Sequence, residues 1–271
     1  MTTSRGIPIL TYHSVTDHPV DALRRWNVTP AHFRDHIAYL TDAGYTSFTI
    51  AEYARLLQSA EPTLPERAVV ITFDDGFADF RDSALPILLD HGVAATLFVS
   101  TAYVGRTSGW LGPDNLSAFL GWDDLVAIDR AGVEIGSHSH RHVALDELAR
   151  AEARQEIERS RELLTAHLGH TVTSFAYPFG YHDAAVKQLV AAADFLDACA
   201  VKNTLSGVGD DRFAIGRILV EDDPDVDGLR QVITSAPSMR LHERPATRVW
   251  RQVRRTRSRL RPAAADDRIT A

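Results

Sequence analysis

The sequence predicts an α/β fold, a closed or nearly closed (β/α) barrel of about seven parallel strands. Three observations carry that prediction. Short apolar runs alternate with helical segments along most of the 271 residues. The connections are long enough to hold helices, so the strands they join pair in parallel through right-handed crossovers. The polar residues best suited to chemistry, Tyr12-His13, Asp74-Asp75, His138 to His142, Tyr177 and Arg217, fall at or beyond strand C-terminal ends. In a parallel barrel those ends share one rim, where active sites assemble; an open sheet gathers only the strands beside its crevice.

The first strand is expected over 7–12, where Ile-Pro-Ile-Leu leads into Thr-Tyr. A helix follows over 30–43: Thr29 offers an N-cap hydroxyl, Phe33, Ile37 and Leu40 recur at helical spacing, and Gly44 closes it. Residues 68–73 read as a buried strand, followed by a helix from about 79 to 90 that stops at His91-Gly92. Residues 95–99 form a strand, 123–130 a helix and 133–135 a strand. The longest helix, rich in Ala, Glu and Arg, is expected over 146–168 and ends at Gly169. Strands over 172–177, 196–201 and 213–220, with a helix over 183–193, complete the alternation, and no internal repeat is visible.

Two regions stand outside it. Residues 100–121, with Gly105, Gly109, Gly112 and Pro113 around Trp110, read as a long loop on the same rim, of the kind that covers or lines a site. A domain over 1–237 is followed by a basic, Arg-rich tail over 238–271, helical or disordered. Between 240 and 261 the tail carries nine arginines against one acid, Glu243. Basic runs of this kind suit anionic lipid headgroups, which would make the protein membrane-peripheral, or an acidic partner; the reading favoured over both is a solvated helix or disordered end.

Bulk properties narrow the classes. A formal net charge of −7 argues against a dedicated nucleic-acid binder, which needs a basic footprint. The single cysteine, Cys199, lies in an apolar stretch and excludes an intrachain disulfide framework or a multi-cysteine zinc module. Residues 1–6 show no leader, and no stretch approaches the roughly twenty apolar residues of a membrane span, so a cytoplasmic protein is expected.

The chemistry concentrates in two phrases, Thr72-Phe73-Asp74-Asp75-Gly76 and His138-Ser139-His140-Arg141-His142. A catalytic zinc-type centre takes three protein ligands and leaves a position open. Asp75, His138 and His142 supply one carboxylate and two imidazoles, a set that suits Zn2+ first and also Co2+ or Ni2+. A helical or compact-loop segment brings the i, i+4 histidines together, and His140 then points elsewhere. With metal bound, such a centre polarises a carbonyl and makes water acidic near neutral pH. Asp74, beside a ligand, is placed to act as general base, and His13 is a candidate proton donor for a departing amine. A backbone N–H in the Tyr177-Pro178-Phe179-Gly180 turn is a candidate oxyanion donor. Gly-x-Ser-x-Gly, a phosphate loop and Gly-x-Gly-x-x-Gly are all missing, which argues against serine-hydrolase and nucleotide chemistry.

These segments closely resemble the polysaccharide deacetylases of carbohydrate esterase family four, those with a NodB-homology domain. The carrying segments are Ile71 to Phe77, Gly136 to His142 and Ser174 to Gly180. Support comes from Pro8 to Val15, Ala95 to Val99, Trp122 to Leu125 and Ile215 to Val220. The resemblance implies a distorted barrel of the NodB type and removal of acetyl groups from N-acetylated sugars. It implies Asp74 as base, Asp75, His138 and His142 as metal ligands, and the Phe179 N–H at the oxyanion. Tyr177, Pro178, Phe179 and Trp110 are the expected substrate contacts. Many members carry an arginine in the third motif and a leucine-histidine pair on the last strand. Here the third motif reads Phe-Ala-Tyr-Pro-Phe, and Leu241-His242 falls in the tail. That pattern looks like the branch acting on poly-N-acetylglucosamine, which moves the acid to His13 and leaves Arg217 to orient Asp74. Two alternatives remain open: the same centre hydrolysing a non-sugar amide, such as an acylated amine or cyclic imide, or a non-catalytic carbohydrate-binding relative.

Overall fold

The computed structural model describes residues 6–59, 64–107, 111 and 117–235. The chain opens with β1 (Ile9–Tyr12), a short β2 (Ser14–Val15), a 3-10 turn (Asp21–Trp26) and β3 (Asn27–Val28). Helix α1 (Pro30–Asp42) starts where expected: Thr29 Oγ1 accepts the His32 N–H, and Pro30 at the first helical position gives up an N–H the helix does not need. Then come β4 (Thr46–Phe48), α2 (Ile50–Leu57), β5 (Ala68–Phe73), α3 (Leu85–Asp90), β6 (Ala95–Val99) and α4 (Trp122–Arg130). The remainder is β7 (Glu134–Ser137), α5 (Arg150–Leu168), β8 (Ser174–Ala176), α6 (Ala184–Ala192), β9 (Asp197–Cys199), β10 (Ile218–Leu219) and α7 (Val226–Ser235).

The strands form one eight-stranded parallel sheet in the order β10-β1-β5-β6-β7-β8-β9, with β4 also paired to β5. Val70 pairs with Ile9 of β1 on one side and with Phe48 of β4 on the other, so β4 and β6 lie end to end along the same side of β5. The two ends of the sheet meet through residues 212–217. The Ile215 N–H bonds the Ala198 carbonyl at 2.9 Å, and the Ala200 N–H bonds the Ile215 carbonyl at 2.8 Å; the same segment then runs into β10 beside β1. The sheet is thereby curled into a distorted barrel, as expected.

Strand parity sorts the side chains into two cores. Ile9, Val70, Phe98, Ala176, Cys199 and Ile215 fill the barrel, with Ile50 and Tyr53 of α2 packed beneath them. Leu10, Tyr12, Ile71, Phe73, Leu97, Ile135 and Phe175 face outward to the helices. Gly136 is required inside: a Cβ there would lie 2.4 Å from the Phe98 ring. Glu134, at the start of β7, accepts the Ala51 N–H at the N-terminus of α2 (3.0 Å), the Thr96 hydroxyl (2.8 Å) and the Ser174 hydroxyl (2.5 Å), which anchors the plug helix.

Several boundaries differ from expectation for identifiable reasons. The helix expected over 79–90 is split into a π-helical turn (Phe80–Ala84) and α3, because Pro86 has no N–H for the Asp82 carbonyl. Helix α5 begins at Arg150, not 146, since Leu148 and Ala149 are extended and Glu152 reaches back to the Ala149 N–H. The strand expected over 213–220 is ladder-paired only at Ile218–Leu219. β4, α2 and α7 were not anticipated. Among the described residues no helix is long and apolar enough to cross a membrane. Trp110, Leu241-His242 and the tail over 238–271 lie outside the described residues.

Candidate metal centre

Strand β5 delivers the first two carboxylates. Its parity aims Val70 and Thr72 into the barrel and places Asp74 in the same row, one step beyond the strand. The Asp74 N–H still bonds the Tyr12 carbonyl at 3.0 Å, so the base candidate stands on the last rung of the β1–β5 ladder. Asp75 then turns sharply, with φ 79°, and Gly76 follows with φ 88°. The turn swings Asp75 across the rim instead of letting it point outward as strand parity would.

Strand β7 delivers the imidazoles in the same way. His138 continues the inward row of Glu134 and Gly136, and its N–H bonds the Val99 carbonyl at 2.9 Å. The segment after it is a compact loop rather than a helical turn: Ser139 has φ 63° and His142 has φ 52°. Non-glycine residues in this region are uncommon, and four of the eight among the described residues, Asp75, Ser139, His142 and Phe179, fall at this site. Glu156 of α5 holds the loop through the Arg141 N–H (2.7 Å) and Arg141 Nε (2.5 Å). His140 is turned out of the cluster, its Nδ1 2.8 Å from Thr101 Oγ1.

The loop and the turn bring Asp75, His138 and His142 together, all buried, with ligand atoms within 4.8 Å of one another. Asp75 Oδ1 lies 3.2 Å from His142 Nε2 and 3.5 Å from His138 Nε2. The Nδ1 of His138 donates to the Ala176 carbonyl at 2.8 Å, so its Nε2 turns a lone pair toward Asp75. Asp75 Oδ1 is enclosed with no hydrogen-bond donor. An imidazole lone pair facing a buried carboxylate oxygen needs a positive charge between them, and the donor set of one carboxylate and two imidazoles fits a divalent metal. Burial, then the neighbouring Asp74 charge, pushes Asp75 upward; burial lowers both histidines.

Asp74 borders that set, its Oδ2 3.8 Å from His138 Nε2, but its carboxylate is held by Arg217. Arg217 donates to it twice, Nη1 to Oδ1 at 2.7 Å and Nη2 to Oδ2 at 2.8 Å. Arg217 is itself fully buried, over the Phe98 ring and bonded through Nε to the Ala200 carbonyl at 3.3 Å. Burial alone would raise Asp74, but Arg217, with smaller contributions from His138 and His13, holds its carboxyl well below the usual range.

These groups form one wall of a cavity of about 510 Å³. His13 lines it beside Trp26, the rings 5.4 Å apart, and burial lowers His13 to about 4 despite Asp74. Phe179 is 53% exposed at the mouth with its ring 4.7 Å from that of His142. The turn around it closes through the Gly180 N–H to Tyr177 and the Tyr181 N–H to Pro178. Tyr177 and Pro178 correct an expectation: neither lines the cavity. The Tyr177 ring is buried against His182 at 4.7 Å, and its hydroxyl donates to the Phe213 carbonyl at 2.9 Å.

A family model described as polysaccharide deacetylase matches residues 61–196, half of the chain, and contains the Asp74-Asp75 turn, the histidine loop and the Tyr177 turn. The chain belongs to the polysaccharide deacetylase family. A Bacillus subtilis protein named for the same family, YxkH, is 30% identical over 178 residues, which is 65% of this chain and 58% of that protein. The poly-beta-1,6-N-acetyl-D-glucosamine N-deacetylase of Staphylococcus epidermidis is 25% identical over 167 residues, 58% of this chain and 55% of that one. The matched region thus spans little more than half the length of either relative. Among solved structures, the Streptococcus pyogenes deacetylase PplD in complex with acetate superposes with a TM-score of 0.75. The superposition covers 85% of this chain and 99% of that one at 23% identity, a likeness of fold.

Sequence reasoning missed other residues of this cavity. Leu23, Trp26, Leu111, Tyr181, Val201 and Leu219 also line the cavity. The one available signal was Trp26, a large aromatic just before the β3 residues Asn27-Val28.

Proposed function

We propose that this polysaccharide deacetylase is a divalent-metal-dependent N-deacetylase of N-acetylglucosamine-type sugars, as polymer, glycolipid or glycoconjugate. One observation carries the reading: the metal-type triad Asp75, His138 and His142 adjoins a second carboxylate, Asp74, that Arg217 keeps out of it. A binding module has no use for a buried, ionised carboxylate that is not a ligand. The Staphylococcus epidermidis relative is named for removing acetyl groups from such a polymer, which points to the substrate class.

The triad would hold Zn2+ first, with Co2+ or Ni2+ also fitting the donors. When bound, a divalent metal supplies positive charge that polarises the acetyl carbonyl and makes water more acidic. Asp74 accepts a proton from the attacking water; Arg217 keeps it ionised for that purpose, though at a cost in basicity. Water oxygen bonds to the acetyl carbon, the C–N bond breaks, and the products are acetate and a free amine. His13, across the cavity, gives the amine its proton. Burial keeps His13 neutral in the resting site at pH 7, so it donates only after taking up a proton; negative charge growing on the substrate oxygen favours that uptake. The Phe179 N–H, not used by the two bonds that close its turn, would serve the oxyanion.

The aliphatic walls, Leu23, Val201 and Leu219, favour a second reading in which the same centre hydrolyses a non-sugar acyl amide. Acetate release from N-acetylglucosamine oligomers separates the two. Release that disappears on chelation and returns with metal is the expected result. Turnover of acylated amines alone would move the substrate class, and no metal-dependent release from any amide would overturn the enzyme.

A further inference from the structure

His13 is held in an unusual way for a group that must deliver a proton accurately. Its Nδ1 is enclosed without a hydrogen-bond partner, and the ring's aromatic neighbour is Trp26. Its position is therefore set by backbone and packing. The next residue, Ser14, carries the fixing contacts. Ser14 Oγ lies 2.5 Å from Asp79 Oδ2 and 3.0 Å from Asn27 Oδ1, and Ser14 pairs with Asn27 across β2 and β3. Asn27 clamps the same turn from its other side, accepting the Thr16 N–H at 3.1 Å and donating to the Thr16 carbonyl at 2.9 Å. The Val15 backbone N–H also bonds Asp79. Asn27 directly follows Trp26, so one node fixes both the backbone beneath the His13 ring and the indole beside it. Asp79 stands at the start of the turn that follows Asp74-Asp75-Gly76. Its Oδ1 is enclosed and makes no hydrogen bond to another protein group.

We propose that Asp79 is a positioning residue for His13, locking through Ser14 and Val15 the backbone on which the ring stands and tying it to the loop that bears Asp74. This rests on the reading of His13 as the proton donor. A displacement of about 1 Å at a reacting group costs on the order of a hundredfold in rate. The effect should appear only where a leaving group needs the proton. An amine leaves poorly until protonated, whereas an activated phenolate leaves without help.

The experiment compares Asp79→Ala, Asp79→Asn and Ser14→Ala with His13→Ala on metal-loaded full-length protein. Each is assayed on an N-acetylglucosamine oligomer and on 4-nitrophenyl acetate, with metal content and melting temperature recorded. Asp79→Ala is expected to retain metal and lose roughly tenfold to a hundredfold in amide kcat with KM little changed, while ester turnover stays within about threefold. Asp79→Asn should recover most of the amide rate, since its carboxamide still bonds the Ser14 hydroxyl. Should Asp79→Ala fail to fold, Ser14→Ala cuts the same link and is read the same way. Parallel loss on both substrates, or no loss on either, while His13→Ala still discriminates, overturns the positioning role alone. If His13→Ala lowers both substrates equally, the donor assignment falls and the positioning role with it.

Discussion

Arg217 grips both carboxylate oxygens of Asp74 at 2.7 and 2.8 Å; the guanidinium is fully buried inside the barrel, while the buried carboxylate forms part of the cavity wall. Breaking a buried pair by removing one partner strands the other charge and typically costs about 3–5 kcal/mol. Arg217→Met should therefore destabilise the metal-free protein by about that much in urea denaturation. The pH dependence follows from the sign of the shift. Asp74 is depressed below its unfolded value of 3.8, so the contribution is complete well above pH 4 and is lost as pH falls through the folded-state value. An unchanged midpoint for Arg217→Met at pH 7 would show that the pair carries no such weight.

The ligand set predicts a sharp partition among the histidines. Elemental analysis is expected to find stoichiometric metal in the parent and a loss of most of it in Asp75→Ala, His138→Ala and His142→Ala. His140→Ala should keep it, because that ring is committed to Thr101, outside the cluster. A His142→Ala protein with full metal would remove His142 from the centre.

Asp74→Asn separates base from ligand. The amide cannot accept a proton from water, so turnover should fall by about a hundredfold to ten-thousandfold while the metal stays. A variant that is instead metal-free, beside an Asp75→Asn that is not, would exchange the two roles.

How much of this was legible in the chain depends on what each feature rests on. Asp75, His138 and His142 could be read because metal chemistry restricts residue type, and because apolar runs before each motif announce where a strand ends. Arg217 was harder: it lies 143 residues from Asp74, and its meaning depends on how residues 212–217 close the barrel. That role came from resemblance, not from spacing. Strand parity was available and unused at Tyr177, since Ala176 faces inward and its neighbour must face out. The Thr49-x-x-Glu52 capping box of α2 was likewise visible, with Glu52 bonding the Thr49 N–H at 2.8 Å. The Ser14–Asn27–Asp79 node had no sequence signal. It joins residues up to 65 apart through one hydroxyl, and nothing in local pattern encodes that.

Asp79 also predicts an effect on stability opposite to its effect on rate. Burial lifts its carboxyl from 3.8 to about 6, although Ser14 and the Val15 N–H favour the anion. The geometry agrees: Ser14 has one hydroxyl proton and two close acceptors, and a protonated Asp79 would donate to Ser14 and free that proton for Asn27. A raised acid binds more protons folded than unfolded between those two values, so stability is full below pH 4 and declines as pH rises through 6. At 1.36 kcal/mol per unit the loss is about 3 kcal/mol at most, and for this partly exposed residue closer to about 1 kcal/mol. Asp79→Asn does not titrate and should escape it. The gap in unfolding free energy between variant and parent should therefore widen in the variant's favour between pH 4 and pH 7.5, by urea denaturation at each pH. A gap constant across that range would mean that Asp79 is ionised throughout and that Asn27 is left without the Ser14 proton.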